Sequence, residues 1–228
     1  FGEGDGFFDD NTLRSGLGKP TFDPLGFGTR LFDYDLDGDL DIYVTRGHIL
    51  DNLEALHPGT RLRYAQPDHL FQNDGKGRFT DVSESSGSWF KKKLVGRAVA
   101  TADYDSDGDL DLFIVNSGQE CALLENRAER KGSWIGIRLQ GTPPCSRDAA
   151  GSLITLKTSG GVRRVEVRSA QSYMAAGDPR VILSLDKGTA KAPPVEVRWS
   201  DGLRERFSNL QSERYHLLVR GKGEILGG

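Results

Sequence analysis

The chain of 228 residues has little cysteine, little histidine and no long apolar segment. Its two cysteines and four histidines show no metal-ligand spacing, which argues against zinc and iron–sulfur sites. No apolar run approaches the ~18 residues that a membrane helix needs, so no membrane span is predicted. The net charge of −3 excludes a strongly basic surface over the whole molecule. Nucleic acid is therefore not an expected partner.

The few cysteines leave one question open. Cys121 and Cys145 could form a single disulfide, which export from the cell would favour, or they could remain two free thiols. The chain begins with Phe1 and Gly2, without Met and without a signal-peptide pattern, which indicates a processed product or a fragment.

Glycine and charge show how the chain is organised. The 29 glycines are close to twice the usual share of about 7%, which favours many tight turns and short strands. Residues 1–132 carry 15 Lys and Arg against 24 Asp and Glu, whereas residues 133–228 carry 15 against 9. This change of sign predicts a domain boundary near residue 132.

The acidic half repeats itself. Residues 33–41 match residues 103–111 at an offset of 70 positions, and each run leads into a strand-like apolar segment. Residues 4–10 similarly align with residues 75–81. We therefore predict two copies of one β unit, and the longer segment 46–68 is interpreted as the connection between them. The limits of the copies are placed at about 1–72 and 73–132.

Each repeated run contains five aspartates at alternate positions. Two carboxylates about 5 Å apart repel by roughly 3 kcal/mol at an effective dielectric constant near 20, so a compact loop needs protons or a cation. Hard oxygen ligands favour Ca²⁺, and we predict two Ca²⁺ sites that brace their loops. Asp39 and Asp109 are expected to contribute backbone carbonyls. The other eight aspartates are expected to contribute side-chain oxygens. The candidate ligands are Asp33, Asp35, Asp37, Asp39, Asp41, Asp103, Asp105, Asp107, Asp109 and Asp111.

The loops begin like an EF-hand but do not continue like one. Gly38 and Gly108 stand at the sixth position, where a sharp turn is needed. The twelfth position, where an EF-hand has Glu, is Val44 or Ile114. Together with Phe79-Thr80-Asp81-Val82, the runs resemble the FG-GAP/VCBS repeats of integrin-α-type β-propellers. That resemblance implies Ca²⁺ bound between the strands of a propeller blade.

The basic half alternates apolar and polar residues in seven short segments separated by Gly- and Pro-rich turns. This pattern predicts an antiparallel sandwich or barrel. Trp134, Trp199 and Tyr173 are expected in its core rather than on a sugar-binding surface. The segments cover residues 134–139, 153–156, 162–167, 181–185, 195–199, 204–207 and 215–219.

Three segments of this half resemble the ASPIC/UnbV domain: residues 147–151, residues 172–180 and residues 195–202. FG-GAP repeats followed by that domain are the layout of the cartilage acidic protein family. Met174-Ala175-Ala176 departs from the polar residues expected after Tyr173. The fold class is therefore predicted as all-β, with a partial β-propeller followed by a β-sandwich-like domain at 133–228. Because two blades cannot close a propeller, the resemblance implies the C-terminal part of a larger protein.

The arginine-rich strands of this half allow two interpretations. Arg163, Arg164, Arg168, Arg198, Arg204 and Arg206 form either a surface for an acidic polysaccharide or a face that packs against the acidic half.

The integrin-like resemblance implies a non-enzymatic binding or adhesion module for a protein or glycan partner. Two other functions are retained: a structural subunit that self-assembles through blade edges, and an accessory protein or enzyme of secondary metabolism like UnbV. A pocket joining polar residues of both halves would favour the last. Loops that need millimolar Ca²⁺ predict a secreted, extracellular or periplasmic location.

Overall fold

A computed structural model describes residues 2–4 and 6–227. Phe1, Asp5 and Gly228, which belong to the predicted domains and repeat, lie outside the described residues. Strands make up 41% and helices 7% of the structure, which confirms the predicted all-β class, although the described residues form no closed propeller or barrel. Among the described residues, no helix is both long and apolar enough to cross a membrane.

The acidic half contains two larger antiparallel sheets and a short antiparallel strand pair near its start. Strands β3–β6 form one sheet in chain order, and strands β7–β9 form the other. The short helix α1 (Gly18–Thr21) precedes the first sheet, and α2 (Leu53–Leu56) lies between its second and third strands. Two 3-10 turns, Ser83–Ser85 and Ser88–Lys91, lie between the two sheets in the chain. The strands are β1 (Gly2–Gly4), β2 (Phe7–Phe8), β3 (Gly26–Phe32), β4 (Asp41–Arg46), β5 (His69–Asn73), β6 (Phe79–Asp81), β7 (Gly96–Ala102), β8 (Asp111–Asn116) and β9 (Ala122–Leu124).

The sheets do not follow the repeat limits inferred from the sequence. The limit at residue 72 falls inside β5, which pairs with β4 on one side and β6 on the other. The predicted connection at 46–68 therefore joins β4 to β5 within one sheet, apart from Arg46, which ends β4, and residues 82–95 connect the two sheets. The physical reason is that a repeating chain can be divided at any phase, and the motif at Phe79–Asp81 closes the first sheet rather than opening the second.

The basic half is a two-layer β-sandwich. All seven segments expected from the sequence are strands, and three further short strands accompany them. One sheet has the order β15-β10-β18 and the other β12-β11-β16-β17-β19. The strands are β10 (Ser133–Gln140), β11 (Leu153–Thr158), β12 (Gly161–Glu166), β13 (Ala170–Ser172), β14 (Ala175–Ala176), β15 (Val181–Leu185), β16 (Val195–Arg198), β17 (Arg204–Phe207), β18 (Tyr215–Val219) and β19 (Glu224–Ile225).

One strand pair differs from the expected antiparallel arrangement. Strands β10 and β18 pair in parallel, with Ile137 opposite His216. Parallel neighbours need a long crossover rather than a hairpin, and here most of the sandwich lies between the two strands in the chain. Local alternation cannot reveal such a pair, because it reports burial and not the direction of the neighbouring strand.

The sandwich core shows why the alternation exists. Ile135 and Ile137 of β10 pack with Ile154 of β11 and Val197 of β16, and Trp199 is fully buried beside them. These side chains thus leave water on folding, at a gain of roughly 1.5–3 kcal/mol for each large one. The expectation for Tyr173 was wrong, because its side chain is about half exposed.

Strand β10 also faces the acidic half with its other side. Trp134 and Gly136 are buried there, and Trp134 packs edge-to-face on Tyr215. The Tyr215 hydroxyl donates a hydrogen bond to the Asp103 carboxylate of the acidic half. The two halves are therefore packed together, and the second Asp run lies at their junction.

The disulfide considered for the two cysteines is not formed. Cys121 is a free, exposed thiol and Cys145 is a free, buried one. Cys145 packs within the sandwich core, whereas Cys121 precedes β9 of the acidic half, so the fold separates them between different environments.

Candidate metal-binding loops

Both Asp runs form the same kind of loop at the same place in their sheets. The first run joins β3 to β4, and the second joins β7 to β8. Gly38 and Gly108 adopt φ values of +95° and +100°, the left-handed region in which a side chain is strained. Leu36 and Ser106, two residues earlier, share φ values of +57° and +62°. The glycine that the sequence placed at the turn is thus required by the backbone.

The first carboxylate of each run organises its loop. In the first loop, the backbone N–H groups of Asp37 and Gly38 donate to the two Asp33 oxygens at 3.0 and 2.8 Å. The N–H of Asp39 then donates to Asp37 Oδ1 at 3.0 Å. These bonds wrap the chain around its own carboxylates.

The second loop repeats every one of these bonds. The N–H groups of Asp107 and Gly108 donate to Asp103 at 3.0 Å each, and the N–H of Asp109 donates to Asp107 Oδ1 at 3.2 Å. Two loops that lie 70 residues apart in the chain therefore share one internal geometry.

The last aspartate of each run anchors the loop to its sheet. Asp41 accepts hydrogen bonds from the N–H groups of Tyr34 and Asn73 at 3.3 and 2.8 Å. In the second loop, Asp111 accepts equivalent bonds from Tyr104 at 3.0 Å and Asn126 at 2.8 Å. These carboxylates therefore close the loop and join it to a neighbouring strand or segment.

Each loop brings three carboxylates together. In the first loop, oxygens of Asp33, Asp35 and Asp37 lie within 4.8 Å of one another. In the second loop the same distance joins Asp103, Asp105 and Asp111. Six of the eight predicted side-chain ligands thus belong to a convergent group.

The remaining candidates make other contacts. Asp41 holds two backbone N–H groups, and Asp107 pairs with Arg130 at 2.5 Å. The Asp109 side chain also bonds Arg130, at 3.0 Å. For Asp39 and Asp109 the carbonyl role stays a prediction.

Burial makes the ionised loops costly. It raises the pKa of Asp33 to about 6 and that of Asp41 to about 7, even though hydrogen bonds from backbone N–H groups lower both. Burial likewise raises the pKa of Asp109 to about 6, against the hydrogen bond from Arg130. Neighbouring carboxylates add to the effect at all three. A bound proton or a cation would relieve this cost near neutral pH.

Two adjacent basic residues supply part of the compensating charge. Lys131 Nζ lies 2.6 Å from Asp35 and 2.9 Å from Asp37 in the first loop. Arg130 serves the second loop through Asp107 and Asp109. Sequence reasoning missed both residues, because each lies outside the Asp run that it contacts and follows no ligand motif.

The donor set fits a hard cation. Oxygens alone form both convergent groups, as Ca²⁺ prefers. Asp35 Oδ1 is buried and has no hydrogen-bond partner among the described residues, and the same holds for Asp109 Oδ1. A buried carboxylate oxygen without a partner is unfavourable unless a further ligand satisfies it. Asp33, Asp35 and Asp37, and Asp103, Asp105 and Asp111, are the residues that would hold the ions.

Comparison with known families agrees with this architecture. The FG-GAP-like repeat model matches residues 55–114, which include β5–β7 and the second Asp loop. The ASPIC and UnbV model matches residues 141–225, most of the sandwich. No curated protein matches the chain.

The chain therefore combines an FG-GAP-like repeat with an ASPIC/UnbV domain, in the predicted order. The wider cartilage acidic protein family remains a resemblance. The two matched domains define a β-rich module of a kind typical of extracellular proteins.

Lys131 gives a direct test of the first loop. Replacing it with Gln removes a resident positive charge that competes with a cation, so we expect the Ca²⁺ affinity of this loop to rise about tenfold. Titration calorimetry of the Lys131→Gln protein would measure the change. Lys222→Gln, at an exposed position of the sandwich, is the control. An unchanged or weaker affinity in Lys131→Gln would contradict the assignment of the loop.

Proposed function

We propose that the protein is a Ca²⁺-stabilised extracellular binding module without enzymatic activity. In this proposal the two Asp loops hold Ca²⁺ as structural braces at the ends of paired strands. The module then recognises a protein or a glycan through surfaces that the braced loops and the sandwich present. A secreted or periplasmic location, where Ca²⁺ is plentiful, follows from the same requirement.

The observation that carries the proposal is the equivalence of the two loops. Each has a first aspartate that accepts two backbone N–H groups and a last aspartate that anchors a neighbouring segment. Each also contains a glycine at positive φ between them. An incidental acidic turn has no reason to keep such geometry twice, whereas a shared ligand gives one.

The histidines support a non-enzymatic role. His48 Nδ1 accepts a bond from the Leu50 N–H, and His216 Nε2 lies 2.8 Å from the Gln211 carbonyl oxygen. His69 contacts Arg46 and lies 3.5 Å from Asp81. These imidazoles are engaged in local contacts, and none of these contacts is with a serine or cysteine nucleophile.

Binding to glycan and protein arrays, in Ca²⁺ and in EGTA, tests the proposal. We expect the wild-type protein to bind selected probes in Ca²⁺ and to lose them in EGTA. The Asp105→Asn variant, which affects only the second loop, should lose part of this binding even in Ca²⁺, while the exposed-residue control Asp51→Asn should bind normally. Absence of binding to any macromolecule under both conditions would remove the proposal.

A second candidate is self-assembly through the sheet of β7–β9. Phe113 of β8 and Leu123 of β9 are cross-strand partners, and both expose large parts of their side chains, as does Val115. An apolar face beside an edge strand favours association between copies. Sedimentation at increasing concentration would show oligomers in this case, and a strict monomer at millimolar protein would exclude it.

A further inference from the structure

A cleft of about 530 Å³ lies between the two halves of the molecule. Strand β3 and the first Asp loop form one wall, and β12 together with residues 178–184 forms the other. Its volume falls within the range of about 300–1,000 Å³ that is usual for small-molecule sites. The cleft is thus large enough for a ligand of moderate size.

Arg30 is the most unusual charge in this cleft. Its Nε donates to Thr101 Oγ1 at 3.1 Å, and it forms no ion pair with a carboxylate among the described residues. Burial lowers the pKa of its guanidinium. A partly buried cation without an anion is costly, because it has lost water and gained no opposite charge. A bound anion would supply the missing charge.

The remaining charges of the cleft also favour an anion. Five arginines line it, against three acidic residues. Arg168 and Arg180 are paired with Glu166 and Asp178. Arg163 and Arg164 have no ion pair within the described part of the chain, and Arg163 Nε is buried without a hydrogen-bond partner. Positive charge therefore remains in excess after the internal pairs are formed.

The walls of the cleft are apolar next to these charges. Leu31 and Leu40 of the acidic half are 50% and 51% exposed, and Val162 of the sandwich is 47% exposed. All three residues line the same cleft. Apolar surface that faces a shared cavity from both sides gains free energy when an apolar group displaces its water.

Hydrogen bonds hold the two walls in register. Thr101, which receives the Arg30 bond, donates to Gln171 Oε1 at 3.2 Å, and Gln171 Nε2 donates to the Asp178 carbonyl at 3.3 Å. The Asp178 N–H in turn donates a hydrogen bond to the Thr101 carbonyl oxygen at 3.0 Å. Arg30 is thus positioned by a network that links both halves, which favours a preformed site.

We propose that this cleft binds a small monoanion with an apolar body. The carboxylate or sulfonate group lies against Arg30, with Arg163 and Arg164 adding positive charge, and the apolar body contacts Leu31, Leu40 and Val162. The binding is non-covalent and separate from the proposed recognition of a macromolecule. It gives the junction of the two domains a function of its own.

Two matched fluorescent probes test the proposal. Anilinonaphthalene sulfonate carries the anion, and phenylnaphthylamine has the same rings without it. We expect Arg30→Gln to raise the dissociation constant of the sulfonate about tenfold or more, since it removes a charge-assisted contact. The dissociation constant of the neutral probe should stay unchanged. Decanoate should displace the sulfonate, whereas decanol should compete less well. Arg138→Gln, exposed on β10 and outside the cleft, should behave as wild type.

Circular dichroism establishes that each variant is folded before titration. If Arg30→Gln does not fold, Arg164→Gln, at an exposed position of the same cleft, replaces it in the test. Loss of the Arg164 charge, which acts at longer range, is expected to raise the dissociation constant of the sulfonate about threefold. The proposal is overturned if the wild-type protein does not bind the sulfonate or if the folded arginine variant binds it normally. It is also overturned if the variant loses affinity equally for both probes.

Discussion

Saturating Ca²⁺ is expected to raise the free energy of unfolding by about 2.7 kcal/mol for each occupied loop when the free ion exceeds its dissociation constant a hundredfold. The reason is that the convergent carboxylates are assembled only in the folded chain, so the unfolded chain binds the ion weakly. Urea unfolding in Ca²⁺ and in EGTA would measure the difference. Two occupied loops would give about twice this value.

Asp105→Asn distinguishes a metal site from an acidic surface loop. The Asp105 carboxylate is exposed and makes no hydrogen bond within the described residues, but it belongs to the convergent group of the second loop. Its replacement should leave the EGTA curve almost unchanged and remove about half of the Ca²⁺ effect. Asp51→Asn, another exposed aspartate, should alter neither curve. Equal curves for wild type in Ca²⁺ and EGTA would refute both loops as sites.

The pH dependence has opposite signs with and without the ion. The pKa of Asp41, about 7 in the fold, lies above its ordinary value of 3.8, so the folded chain binds the proton more tightly between these values. Without metal, the contribution of Asp41 to stability should therefore rise as the pH falls from about 7 towards 4. Burial lowers the pKa of His69 to about 4, so His69 contributes in the opposite direction between about 6.5 and 4. Protons compete with Ca²⁺ over the same range, so the stabilisation by the ion should shrink. Urea unfolding in Ca²⁺ and in EGTA, at pH 7.5 and at pH 5.5, would show whether the difference between the two conditions shrinks at the lower pH.

Gly108→Ala is expected to cost about 4 kcal/mol of unfolding free energy, among the largest effects of a single substitution. A Cβ at this position would overlap the ring of Trp134, and the φ of +100° adds backbone strain. Trp134 cannot move aside, because it is buried and packs on Tyr215 at 5.3 Å between ring centres. The substitution therefore strains the junction of the two halves.

Two other glycines provide matched controls. Gly118 has a φ of +66° with nothing within 4 Å of an added Cβ, so Gly118→Ala should cost only the strain of about 1 kcal/mol. At Gly38 an added Cβ would meet the end of the Arg163 side chain, which can rotate away, so Gly38→Ala should fall between the two. Urea unfolding of the three proteins tests the order. A Gly108→Ala protein as stable as Gly118→Ala would contradict the packing argument.

Several features could be predicted from neighbouring residues because their causes are local. The seven sandwich strands follow from alternating burial, and residues 195–199 show it well, with Val195, Val197 and Trp199 buried. The turns at Gly38 and Gly108 follow from backbone sterics. The convergence of Asp33, Asp35 and Asp37 follows from their spacing on one tight loop.

Other features required the assembled molecule. The division of the repeats differs from the expected one because strand pairing, not sequence similarity, defines the sheets, and β5 continues across residue 72. The arginine-rich strands separate in space. Arg163 and Arg164 of β12 face the cleft beside the acidic half, while Arg206 of β17 pairs with Glu196 within the sandwich. The sequence alone could therefore not decide between a surface for an acidic polysaccharide and a face that packs against the acidic half.

The amino-acid order by itself determined the all-β class, the two carboxylate loops and the order of the two domains. Each of these depends on contacts between residues a few positions apart, which a linear pattern records. Only the tertiary structure decided that Lys131 and Arg130 supply part of the compensating charge of the loops and that Trp134 lies under Gly108. It also decided that Arg30 lies in a cleft without an ion pair among the described residues. Those arrangements join residues from distant parts of the chain, and their energies arise only when packing removes water from between them.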